Sequence, residues 1–524
     1  MIINNKKQNY TISDYLIIPF QQELWYFLSI WIIMALPNII LYLKIGKAID
    51  LCFLLMFYYI MAFLITLLIN LTGRVAKIIR PILFFIITVI SLANIYCVVF
   101  HENLLSYDVV QTLLVTYPKE VKEYYDTYVT TKVLLGAIIA GSILIGLSVF
   151  FVKSRGYRNK RIWITGYFIL LVSITGLAVN YDFLKMELSG RDYWHFAIAD
   201  IVDLREYSTN PLILESDTVH PSNLVIVIGE SFSRNHSSLY GYDKTTNPLL
   251  KGKEDAGEII VFHNVEAPAV HTTTVFKYLL NTNLINLEEN KKWYRYTNLI
   301  EILNNLGYKT SWLSNQAKSG IYDNLPGSHA KLCERMVFLS DSSLSGYDGN
   351  LIDLYIADST RNNAIFYHLM GQHVEFKKRY PKEFKVFTEK DYSLYPDNQR
   401  NILAAYDNAT LYNDFVVNAL MDLYKDDDAI LFYFPDHGLD LFDSDKNYFG
   451  HAKINEKSQK AAKQIPFIVY VSPIFQSKYP EKVVAMRNNV DKFYSTDKLI
   501  FSIMDILGYE FAENKDVEKF SLFN

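Results

Sequence analysis

Residues Leu224–Ser231 read LVIVIGES, an apolar run that ends in a glycine, a carboxylate and a hydroxyl. A strand with one wet face alternates apolar and polar residues, whereas a continuous apolar run closed by a turn residue fits a strand buried on both faces. Similar runs follow at Glu258 to His263, Lys309 to Leu313, Met336 to Leu339, Ala364 to Leu369, Ala429 to Phe434 and Pro466 to Val471, separated by stretches of helical character. Short β-rich runs alternating with helices are the pattern of a mainly parallel sheet covered by helices. Residues 216–524 therefore read as one α/β domain. Open sheets of this kind bind ligands beyond the carboxyl ends of their strands, so the polar residues that follow each run are the first to inspect.

The chain before this domain is built differently. It has 524 residues in all, 51 % hydrophobic and 15 % aromatic, too long for one ordinary domain. Uncharged runs from Leu24 to Leu43, Leu51 to Leu71, Pro81 to Phe100, Val133 to Val152 and Ile162 to Val179 each approach the ~20 residues that cross a bilayer core. They predict a five-helix transmembrane domain over residues 1–180. The first run has full span length and no small-residue cleavage site behind it, so it reads as a retained span and not a signal peptide. Residues 181–215 fit neither pattern and read as a linker with interfacial helices.

Lys6 and Lys7, then Arg74, Lys77 and Arg80, then Lys153, Arg155, Arg158, Lys160 and Arg161 fall on one side of the five-span arrangement. That side is expected in the cytoplasm, because translocating basic residues is disfavoured. Lys44 and Lys47, in a short outer loop, are the exception. An odd number of spans puts the α/β domain outside. The expected location is the inner membrane of a bacterium, multi-pass, with the C-terminal domain in the periplasm. A net charge of -4 gives no basic excess for nucleic acid. Cys52 and Cys97 lie in apolar runs and Cys333 stands alone beyond them, so the exported domain has no disulfide or paired-cysteine metal site.

Four strand ends carry chemistry. Ile228 leads into Gly229, Glu230 and Ser231; Leu369 into Gly371, Gln372 and His373; Phe434 into Asp436, His437 and Gly438; and the run through His263 into His271, Thr272, Thr273 and Thr274. Each is commonplace alone. An Asp-His-Gly is often a turn, Glu230 could cap a helix, and three threonines often start one. Together at one sheet edge, the carboxylates and imidazoles suit Zn2+, which takes oxygen and nitrogen donors. A threonine hydroxyl becomes a usable nucleophile when a metal or base lowers its pKa. Val275, Phe276, Leu279 and Leu280 have helical spacing, which predicts a helix with the threonines at its N-terminus.

In order, VIGESFSRNHSSLYGYDKTTNP (Val227 to Pro248), the HTTT turn, HLMGQH (His368 to His373) followed by KRYP, YDNATLYND (Tyr406 to Asp414), PDHG (Pro435 to Gly438) and FGHAK from Phe449 resemble the phosphoethanolamine transferases. These belong to the alkaline phosphatase and sulfatase superfamily. The resemblance spans nearly the whole chain, including the five spans. It implies an α/β domain of sulfatase or alkaline-phosphatase type that moves the head group of phosphatidylethanolamine onto a lipopolysaccharide (core or lipid A) or other envelope glycan through a covalent phosphothreonine. It further implies zinc ligation by Glu230, Thr272, Asp436 and His437, with room for a second zinc. Thr272 best matches the nucleophile, with Thr273 and Thr274 as alternatives. His373 and His451 match residues that hold a second metal or the phosphoryl group and assist catalysis, and Asn315, Gln316 and Lys318 fall where the family contacts substrate. Many family members carry disulfides that this chain cannot form, and the HTTT turn lacks their cysteine neighbours. Both departures point toward a core or glycan acceptor over lipid A.

Two other functions were weighed: a phosphoglycerol transferase of the lipoteichoic acid synthase type, and a non-catalytic membrane sensor or scaffold. A sulfatase proper needs Cys or Ser in C/S-x-P-x-R, and the chain has no such segment.

Overall fold

The computed structural model describes residues 19–20, 23–72, 75–101, isolated positions between 104 and 142, 160–179, and 220–523 with breaks at 286–291, 319–324, 340–345, 357–359, 447, 452, 454 and 510–516. Its contacts divide the chain into two compact units: Met1–Tyr107 with Val129–Phe196, and Asp108–Tyr128 with Ala197–Asn524. The expected fourth span, Val133 to Val152, and the linker 181–215 lie largely outside the described residues.

In the first unit, Leu24–Ile45, Ala48–Leu71 and Ala76–Val99 are helices long and apolar enough to cross a membrane, and a shorter apolar helix covers Ile164–Val179. Phe85, Phe168 and Leu171 are 65 %, 65 % and 63 % exposed. Helix surfaces of that kind are stable against lipid chains and a liability in water. The chain is therefore membrane-anchored through its N-terminal third.

The described strands of the second unit are, in chain order, β1 (Asn223–Gly229), β2 (Ile259–Phe262), β3 (Val265–Glu266), β4 (Lys309–Ser314), β5 (Arg335–Phe338), β6 (Asn363–His368), β7 (Ala429–Pro435), β8 (Asp440–Leu441), β9 (Phe449–Gly450), β10 (Phe467–Val471) and β11 (Tyr494–Ser495). The seven long runs read from the sequence assemble into one sheet in the order β2-β10-β7-β1-β6-β4-β5. All neighbours run parallel except β10, which is antiparallel to both β7 and β2. Strand side chains alternate between faces. Leu224, Ile226 and Ile228 thus join one apolar core with the helices Leu299–Asn305 and Leu499–Leu507, while Val225 and Val227 join another under the long helix Asp397–Asp422. Both faces of β1 are covered, which is why its sequence shows no alternation.

This sandwich fixes where the strand ends point. Because β1, β6 and β7 are parallel and in register, Ile228 lies beside His368 and Gly229 beside Pro435. The turns that follow, carrying Glu230, His373 and Asp436, therefore emerge together from the middle of the sheet.

Candidate active site

The turn after β1 is held tightly. Ser231 adopts a left-handed backbone (φ 55°), and the Tyr406 hydroxyl bridges the turn by donating to Ser231 O at 2.7 Å and accepting from Ser233 N at 2.7 Å. The neighbouring turn after β6 presses against it. Gln372 N donates to Glu230 O at 2.9 Å, and a Cβ on Gly371 (φ +48°) would sit 2.8 Å from Glu230 backbone atoms. Only glycine fits there.

Within this frame Glu230, Asp436 and His437 are all buried, with ligand atoms within 4.8 Å of one another. The Thr272 hydroxyl donates to Glu230 Oε2 at 3.4 Å and lies 3.4 Å from His437 Nε2. His437 Nε2 is in turn 3.5 Å from Glu230 Oε1 and from Asp436 Oδ2. These are long for hydrogen bonds. They match the ~3.3–3.6 Å edges of a tetrahedral shell whose donors each stand ~2.0–2.2 Å from a central zinc. Asp436 Oδ2 is buried and makes no hydrogen bond, as expected of an oxygen meant for a cation.

The electrostatics agree. Burial, and then the charge on Asp436, raise the Glu230 carboxyl above its ordinary value. Burial pushes Asp436 up to about 6 and lowers His437. Two carboxylates and an imidazole taken out of water beside one another are strained as ions until a cation joins them. The His437 ring is oriented by its Nδ1, 2.8 Å from Gly438 O, so Nε2 faces the centre.

Of the three threonines, Thr272 is the one whose hydroxyl reaches Glu230 and His437; Thr273 is buried, and its hydroxyl makes no hydrogen bond. The helix expected after them is a single turn, Thr272–Val275. Leu280 ends the segment in a left-handed conformation (φ 63°), and Val275, Phe276, Leu279 and Leu280 all enter the core. The helical spacing reflected packing, and one turn contributes little of a helix dipole.

His373 is half-buried and close enough to Glu230, Asp436 and His437 to act on their charges. The His451 ring lies 4.5 Å from that of His437 and 4.8 Å from that of His271, so His271, quoted in the HTTT turn without a role, joins the cluster. Gln316 Nε2 donates to Glu230 Oε2 at 3.2 Å and to Leu369 O at 2.9 Å. Asn315 is turned aside: its amide donates to Asp348 Oδ1 at 2.8 Å and to Gly346 O at 3.3 Å. Lys318 stands half-buried in the same loop, with no contact to the carboxylates among the described residues.

Two supporting residues escaped the sequence reading. Asp348 accepts from the backbone N–H of Met370 and Gly371, at 2.8 Å each. Arg379, buried, donates to His373 O at 3.1 Å and Val374 O at 2.6 Å, and pairs with Glu123 of the stretch Asp108–Tyr128. Both hold the His373 turn by its backbone; Asp348 lies outside every quoted motif, and Arg379 stands inside KRYP, quoted without a role.

A mainly parallel sheet with a buried carboxylate–imidazole set and a threonine hydroxyl at its carboxyl edge defines a phosphatase- and sulfatase-type group-transfer enzyme. A family model described as Sulfatase matches residues 222–509, more than half of the chain, and the chain belongs to that family. It is 24 % identical over 473 residues to phosphoethanolamine transferase EptC of Escherichia coli strain RS218, covering 83 % of this chain and 81 % of that one. The zinc complex of the C-terminal periplasmic domain of E. coli EptC is similar in structure (TM-score 0.53, 26 % identity), over 60 % of this chain and 90 % of that domain. The integral membrane protein lipooligosaccharide phosphoethanolamine transferase A of Neisseria meningitidis shares the fold (TM-score 0.66, 17 % identity) over 94 % of this chain and 97 % of its own. The expected kinship with phosphoethanolamine transferases stands.

Proposed function

We propose that this chain is a metal-dependent phosphoethanolamine transferase, anchored by five spans in a bacterial inner membrane, that moves the head group of phosphatidylethanolamine onto a lipopolysaccharide or other envelope glycan. The observation that carries this reading is the Thr272 hydroxyl, 3.4 Å from both Glu230 Oε2 and His437 Nε2 at the strand ends. The grouping of Asp108–Tyr128 with the catalytic unit supports the topology. Five spans require the loop after the third span to share a side with the catalytic domain, in keeping with that grouping.

Glu230, Asp436, His437 and Thr272 would hold one zinc, whose charge lowers the hydroxyl pKa of Thr272 and offsets charge that develops on the phosphoryl oxygens. The Thr272 hydroxyl gives its proton to a nearby imidazole, that of His373 or His451, and its oxygen attacks the phosphorus of the donor. As the bond from phosphorus to the diacylglycerol oxygen breaks, that oxygen takes a proton, for which His373 and His451 are the placed donors. An acceptor hydroxyl then gives its proton to the same imidazole and attacks the phosphothreonine; the bond from phosphorus to the Thr272 oxygen breaks, and that oxygen takes the proton back. Gln316 orients Glu230 throughout. Asn315 acts through Asp348 on the turn that carries His373, and Lys318 borders the entrance.

The test is mass spectrometry of envelope glycolipids from cells with and without the gene. A phosphoethanolamine increment that appears only with the gene, and disappears with Thr272→Ala, is expected. Its absence from lipid A, core and other glycans alike overturns the reading, and a glycerophosphate increment would assign the donor to the phosphoglycerol class.

A further inference from the structure

A groove of about 180 Å³ opens beside the catalytic cluster. Glu375, Phe376 and Lys377 form one wall, Asn401 and Ile402 of the long helix a second, and Phe449 of β9 the third. Its position is set by the chain. Glu375 is two residues beyond His373 and Phe449 two residues before His451, and two residues span at most ~7 Å of backbone. Both walls thus lead directly into histidines of the site.

The lining is amphipathic and balanced in charge. Phe376 and Phe449 face each other edge to face, with ring centroids 6.4 Å apart, and with Ile402 give an apolar floor. Glu375, Lys377 and Asn401 supply one carboxylate, one ammonium and one amide at the rim. A phosphate would call for net positive charge and an ammonium head group for net negative charge. A sugar ring, with apolar C–H faces and a rim of hydroxyls, matches an aromatic floor with a mixed polar edge. The volume is below the ~300 Å³ typical of sites for drug-sized ligands, which suits one ring.

Glu375 adds a second observation. It is a non-glycine residue held at φ 67°, a strained conformation that recurs at ligand clamps. Its carboxylate pairs at 3.3 Å with Lys378, which is 47 % exposed. Such surface pairs are weak, so a ligand hydroxyl can compete for the carboxylate.

We infer that this groove is a subsite for one neutral sugar ring of the acceptor, next to the ring that receives the phosphoryl group. The inference rests on the transferase reading above, and its test is built to fail separately from it. Full-length protein in detergent micelles is titrated by calorimetry with core oligosaccharide released from lipopolysaccharide, and with O-phosphorylethanolamine. Ile402→Trp, which fills the groove, should weaken oligosaccharide binding about tenfold or more, the equivalent of ~1.4 kcal/mol. Asn401→Ala, at an exposed helix position where packing is untouched, should weaken it about threefold. Unchanged oligosaccharide binding in both variants overturns the subsite, as does loss of O-phosphorylethanolamine binding in its place. Adduct formation on Thr272 of the unaltered protein is measured in parallel. No adduct, with oligosaccharide binding still lost in Ile402→Trp, keeps the sugar site and removes the catalytic reading.

Discussion

Two buried histidine–carboxylate sets in the α/β unit are finished differently. In one, His236 Nδ1 is 3.0 Å from Asp407 Oδ1, and Asp407 Oδ2 accepts from Tyr242 at 2.7 Å and also from Tyr392. Each polar atom named there has a protein partner. In the other, His437 Nε2 stands 3.5 Å from Glu230 Oε1 and from Asp436 Oδ2, and Asp436 Oδ2 has no hydrogen bond. The residue types are nearly the same. What separates a structural network from a binding centre is whether the chain itself completes the hydrogen bonding.

The contrast is sharpest for substitutions that remove one charge from each set. Asp436→Asn should lower bound zinc to near zero and turnover by at least about a thousandfold, while the metal-stripped protein is no less stable, since the charge it loses repels that of Glu230 when no cation is present. Metal analysis, turnover and denaturant unfolding of the stripped protein check this together. Full turnover in Asp436→Asn would remove the residue from the ligand set. Asp407→Asn should do the reverse. Breaking a satisfied buried pair is expected to cost about 3 kcal/mol or more, with zinc per folded molecule unchanged. Loss of zinc without loss of stability would erase the distinction.

Tyr406 connects the two sets, because its hydroxyl holds the backbone just after Glu230 and its chain neighbour is Asp407. Tyr406→Phe leaves a buried carbonyl and N–H unpaired, at about 1–3 kcal/mol. Zinc affinity should fall as well, since Ser231 sets the direction of Glu230. A stability loss with unchanged zinc affinity would make the tyrosine purely structural.

The smallest expected effect is on pH. Burial alone would lower the pKa of His236, but the charge and hydrogen bond of Asp407, with Asp443 and Asp243, outweigh it and hold His236 above its ordinary value; Tyr242 and Tyr392 complete its surroundings. A histidine raised in the folded state contributes stability fully below its unfolded pKa of ~6.5 and loses it as pH rises through the higher folded value. Unfolding free energy should therefore decline above pH ~6.5 by an amount that vanishes in His236→Gln. An identical decline in the variant would assign it to other groups.

Most of the fold was legible because the central strands are buried on both faces. Runs such as Leu224–Ile228 and Ala429–Phe434 announce themselves without alternation, and each of the seven runs became a strand of the main sheet. The antiparallel setting of β10 was not legible, since a buried apolar run reads the same in either direction. Glu230, Asp436, His437 and Thr272 were found because each follows a buried run or a turn at one edge. Asp348 was not, and Arg379 stood in the quoted KRYP without a role, because both act on backbone groups of the His373 turn. Helical spacing after Thr272 misled, because a single turn, Thr272–Val275, followed by a segment that buries Phe276, Leu279 and Leu280 has the same spacing as the start of a longer helix. Asp407 and His236 sat inside quoted motifs, but nothing in one sequence distinguishes a satisfied pair from a ligand pair.

The central claim is that the Thr272 hydroxyl carries the transferred group. Purified full-length protein, loaded with zinc and given phosphatidylethanolamine without acceptor, is analysed by intact mass and peptide fragmentation. One phosphoethanolamine on Thr272, absent in Thr272→Ala and in metal-stripped protein, is the expected result. An unmodified Thr272 in protein that goes on to transfer the group when acceptor is added would contradict it.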